Sequence, residues 1–161
     1  MSAPTPPSVA SAPSAPASAH AMAPIPAWPR APLLLCSSSS RTGPVESMIA
    51  LARFLRARGH DARFGGDSVR EGNLSEHLDR AQVPWVRTLH LSRKPRLSHL
   101  LSDARQLATW VAQGSPDLLH ASMSNDHWLA FQAIRRAGQA RATARLVRTA
   151  HRAIDVAPGG L

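Results

Sequence analysis

The chain has no tyrosine, one cysteine, and one lysine among its 19 basic residues. Aromatic residues make up only 4% of its 161 positions, so it offers few rings on which nucleobases could stack. The single cysteine, Cys36, cannot close an internal disulfide, and no Cys/His cluster has the spacing of a metal site. These shortages point to a cytoplasmic protein that needs no metal or other cofactor. Cys36 lies in an apolar run and reads as a buried, inert thiol. No stretch reaches the ~20 apolar residues of a membrane span, and the start lacks the continuous core of about 7 to 15 apolar residues of a signal peptide.

What the sequence does have begins with a biased segment. Residues 1–32 are almost wholly Ala, Pro and Ser. Their apolar surface is too small to offset the entropy of ordering them, and proline excludes helix interiors and sheet ladders. They are expected to form a disordered tail, or an over-extended start ahead of translation from Met22. Residues 33–161 are long enough to bury a core as one domain.

Within that domain apolar runs alternate with amphipathic stretches. LLLCS (33–37) reads as a buried parallel strand followed by a polar loop. Gly43-Pro44 opens a helix, Glu46 suits its positive end and Gly59 stops it. Val45, Met48, Ile49, Ala52 and Leu55 recur on one face. The alternation continues with strands at 62–65, 85–91 (WVRTLHL), 117–121 and 145–150. Helices fall within 68–81, at 97–113 and at 125–137. Strands alternating with helices predict a Rossmann-like α/β domain, a parallel sheet with helices on both faces.

Ligands of such sheets bind outside the carboxyl ends of the strands, where strand order reverses. The stretch PDLLHASMSNDHWLA (116–130) crosses that edge. It places His120 at a strand end, Ser122 and Ser124 in a loop, and Asp126 and His127 at a helix start. Ser122, Ser124, Asp126 and His127 are candidate ligand contacts. Asp126 is equally well explained as compensation of the helix dipole, and His120 as a residue packed or hydrogen-bonded beneath the loop. Residues 37–40, four serines, read either as a phosphate site or as a polar turn.

Several motifs resemble one family in order and spacing. PDLLHA (116–121), RARGHDAR (56–63), the loop before that helix, and LVRTAH (146–151) are similar to the amino-terminal domain of GT-B glycosyltransferases of family 4. The resemblance implies one half of a GT-B enzyme, the acceptor side of a cleft. It implies a nucleotide-sugar donor, a sugar or lipid-linked acceptor with Ser122, Ser124, Asp126 and His127 as candidate acceptor contacts, and a donor-binding domain supplied in cis or in trans. The chain is then a fragment, a truncated product or a split-enzyme subunit, expected to be inactive alone. Gly43 matches the glycine loop that approaches the donor phosphates, although the sequence here reads RTGP rather than a glycine pair. His151 matches the histidine that reaches the transferred sugar or acceptor and is the candidate catalytic residue.

The formal charge of +9 comes almost entirely from arginine. Arg93, Lys94 and Arg96 form one cluster, and Arg135, Arg136, Arg141, Arg145, Arg148 and Arg152 a second. Such charge suits phosphorylated ligands or peripheral contact with an anionic membrane at its inner face. A non-catalytic module for a phosphorylated ligand is the alternative reading. A nucleic-acid binder ranks below both, because no nucleic-acid motif accompanies the charge.

Overall fold

A computed structural model describes residues 29–94, 96–138 and 144–149. The first strand, β1 (Pro32–Cys36), is buried along its whole length. Its side chains divide by the two-residue period of a strand. Leu33 and Leu35 enter one core, and Leu34 and Cys36 enter the other. A strand buried on both sides needs helices over each face.

The face of Leu34 and Cys36 is covered by α1 (Gly43–Ala57) and α2 (Leu74–Arg80). In α1, Val45, Met48, Ile49, Ala52 and Leu55 are buried, the face expected from their spacing. Pro44 occupies its first turn, and Gly59, with φ +84°, lets the chain turn away at its end. The other face is covered by α3 (Leu97–Ala112) and α4 (Ser124–Arg136).

Between the helices run β2 (Arg63–Gly66), β3 (Trp85–Val86), β4 (Leu118–Ala121) and β5 (Arg145–Arg148). All pairings are parallel, in the order β3-β2-β1-β4-β5. The chain builds outward from β1 to β3, then crosses to the other side of β1 to lay down β4 and β5. This is the Rossmann-like sheet that the alternation predicted, with its switch point between β1 and β4.

One expectation is corrected. The strand expected at 85–91 ends at Val86. Leu89 and Leu91 are nevertheless buried, and the amides of His90 and Leu91 donate to the Asp103 carboxylate rather than to a neighbouring strand. The alternation there marks a loop that plugs the core. The last residue of the segment expected as a tail, Pro32, is the first residue of β1. The Arg30 and Ala31 amides donate to Asp117 at 2.5 and 2.9 Å. The rest of that tail, residues 1–28, lies outside the described residues.

Candidate functional site

The carboxyl ends of β1 and β4 meet at the switch point. Ser37 follows β1, and Ser122 follows β4 with its amide donating to the Leu35 carbonyl at 2.9 Å. Asp126, in the first turn of α4, is 0% exposed. Its carboxylate accepts the Ser37 amide at 3.0 Å, the Ser37 hydroxyl, and the Met123 amide at 3.1 Å. One buried carboxylate therefore ties the loop after β1 to the helix after β4. Burial pushes the Asp126 pKa up, against the opposing pull of the donors from Ser37 and Met123.

The loop after β1 is held from its other side as well. The Asp67 amide donates to the Ser38 carbonyl at 3.1 Å, and the Leu74 amide to the Ser39 carbonyl at 3.0 Å. Gly72 passes so close that a Cβ there would lie 2.0 Å from the Ser39 carbonyl oxygen. Asn73 accepts the Arg41 amide at 2.9 Å. Ser37 is committed to Asp126, and the Ser38 hydroxyl donates to the Ser40 carbonyl at 2.9 Å. Of the two readings for residues 37–40, the internal bonds of Ser37 and Ser38 are those of a polar turn.

Where the loop enters α1, Thr42 has extended backbone (φ −138°, ψ 164°) and makes no capping bond. Its hydroxyl oxygen is buried and lacks a partner among the described residues. Gly43 beside it is exposed, with no atom within 4 Å of where a Cβ would stand. No side chain caps the positive end of α1, a setting that suits an anion, and Glu46 in its first turn is paired with Arg41.

The other candidates scatter along the same edge. Ser122 is buried; Ser124 is exposed and its hydroxyl accepts from Arg148 at 2.9 Å. His127 is half-buried. The acceptor contact expected of Asp126 meets a physical obstacle, since that side chain has no exposed surface and bonds inward. Dipole compensation explains only its place in the first turn of α4. His120 lies beneath the loop as expected, its Nε2 2.6 Å from the Thr149 hydroxyl. His151 lies outside the described residues.

One constellation escaped the sequence reading. Asp103 of α3, buried, faces His90, whose Nδ1 is 2.8 Å from its Oδ1, and the His99 ring stacks on His90 with centroids 4.1 Å apart. The three are spread over 14 positions in a loop and a helix, so no short motif announces them. A cavity of about 300 Å³ lined in part by Pro32, Asp61, Arg63 and Trp110 opens at the opposite, amino-terminal edge of the sheet. It is on the wrong side for a ligand of a doubly wound sheet.

Comparison with known proteins bears on this geometry. Residues 42–159 match the family model for Glycosyltransferase Family 4. No curated protein matches the chain. Among solved structures, a glycosyltransferase from Rickettsia africae superposes with a TM-score of 0.57 at 18% identity, over 75% of this chain. The match spans only 29% of that glycosyltransferase. A C-terminal domain of a hydrogenase from Pyrococcus furiosus gives a TM-score of 0.45 at 18% identity, covering 79% of this chain and 97% of that domain.

Proposed function

From the premise that this chain belongs to glycosyltransferase family 4, we propose that it forms the acceptor wall of a cleft in which a sugar leaves a nucleotide-sugar donor. The observation that carries the reading is the family match over residues 42–159, which includes His151. The switch point between β1 and β4 supports it, because ligands of doubly wound sheets gather there. The donor phosphates would approach the start of α1 at Thr42 and Gly43. The acceptor, a sugar or lipid-linked sugar, would lie across the edge that carries Ser124 and His127, with His151 as the catalytic contact that the family motif implies. A peripheral contact with anionic lipid at the inner face of the membrane would suit the basic surface.

Transfer requires both reactants in one closed, oriented assembly. The proposal therefore includes a donor-binding domain, in cis or in trans. In that two-domain enzyme His151→Ala should lower transfer roughly 10- to 1000-fold, the range for one positioned polar group in a transition state. His120→Ala should lower stability at least as much as activity, because its ring is bonded to Thr149. Steady-state kinetics and unfolding midpoints on both variants form the test. Unchanged turnover in His151→Ala would remove that residue from the site, and ligand binding with no transfer from any nucleotide sugar would favour the binding-module reading.

A further inference from the structure

The loops after β2 and β3, with the first turn of α3, enclose a cavity of about 290 Å³ at the carboxyl edge of the sheet. Its walls are Val69, Arg70, Ser92, Lys94, Arg96 and His99. Three are permanent cations, and none is a carboxylate. Arg70 lies 3.7 Å from Asp67, whose buried carboxylate also accepts the Val69 and Arg70 amides. Among the described residues, no carboxylate forms a salt bridge with Lys94 or Arg96. No acidic residue stands in the first turn of α3, and Arg96 occupies its cap position without a side-chain capping bond. Cations gathered at the positive end of a helix repel one another and the dipole unless an anion joins them.

The frame around the cavity is built rather than loose. The Ser68 hydroxyl donates to the Leu89 carbonyl at 2.7 Å, joining the two loops. Asn125 donates to the Arg93 carbonyl at 3.0 Å, fixing the second loop to α4. His99 is held by its stack on His90, itself bonded to Asp103. Ser92 and His99 also line the narrow crevice beside Ser37, Asn125 and Asp126, so the cavity adjoins the switch point.

We propose that this cavity binds a phosphate ester carried by the acceptor, with Arg70, Lys94 and Arg96 as its counter-charges. The inference rests on the transferase reading above and names the acceptor's chemical class. Three cations lining one cavity match the three free oxygens and near-double charge of a phosphomonoester better than the single charge of a carboxylate. A lipid phosphodiester offers the same chemistry with one charge fewer.

The test is amide NMR on the full 161-residue chain. Glycerol phosphate is titrated in, with glycerol as the uncharged control and phosphatidylglycerol vesicles as a separate arm. Saturable shifts at Arg70, Ser92, Lys94 and His99 are expected. Lys94→Ala/Arg96→Ala should weaken binding roughly tenfold or more, as loss of two charge-assisted contacts implies. Arg135→Ala/Arg136→Ala, an equal charge loss at the far end of α4, should leave it unchanged. Binding of the soluble ester identifies a water-soluble acceptor, and shifts caused by vesicles alone identify a lipid headgroup. Shifts spread over all exposed arginines, or equal weakening in both double variants, would overturn the proposal. The transferase reading fails separately. In the two-domain enzyme, transfer that is indifferent to Lys94→Ala/Arg96→Ala removes the pocket alone. Phosphate bound in the pocket without transfer to any phosphorylated acceptor removes the acceptor role.

Discussion

A carboxylate with no exposed surface must find donors inside the protein or lose its charge. Asp126 finds three, and Asp126→Ala would strand the Ser37 amide and hydroxyl and the Met123 amide together. A loss of about 2–4 kcal/mol in urea unfolding is expected. The pH dependence has a definite sign. The folded-state pKa is raised, so this group's contribution is fully present below the ordinary aspartate value and declines as pH rises through the folded value. Asp126→Asn should remove that slope from a plot of unfolding free energy against pH. The sequence placed Asp126 in a first helical turn correctly, but a helix start does not say which strand end lies opposite it. Glycines supply a second contrast. Gly72→Ala must displace the Ser39 carbonyl and should cost about 1–3 kcal/mol, whereas Gly43→Ala should leave the unfolding midpoint unchanged and weaken donor binding if phosphates approach its backbone.

At the scale of elements, those with a strong period were readable. The face of α1 and the double burial of β1 follow directly from the spacing of their apolar residues. The stretch after Trp85 was not readable, because Leu89 and Leu91 carry a strand's alternation while their backbone bonds to a side chain from α3. That side chain is 12 or more positions away and leaves no local trace. The loop should accordingly depend on Asp103. In Asp103→Ala, hydrogen exchange at the His90 and Leu91 amides should accelerate by at least roughly tenfold, while amides of β1 keep their protection. Equal acceleration in both places would mean that the loop and sheet open as one unit.

For the whole molecule, the alternation of elements gave the parallel class, and with it the carboxyl edge at which ligands of such sheets bind. The basic cavity stayed hidden, since Arg70 and Lys94 meet only when two loops fold together. One wall of a cleft cannot orient two substrates or exclude water from them. The 161-residue chain alone is thus expected to show no measurable transfer with any nucleotide sugar, and robust turnover would sink the proposal of a separate donor domain. The central strand carries one more consequence. Cys36 is the chain's only cysteine, fully enclosed, with its thiol pushed up to about 12 by burial and then by the neighbouring Asp126 charge. It stays protonated at neutral pH and unreachable by alkylating reagents while the sheet is intact. The native chain thus contains its own stopwatch. The rate at which a maleimide dye attaches to it counts how often the middle of the sheet comes apart, with no engineered label and no second thiol to blur the reading.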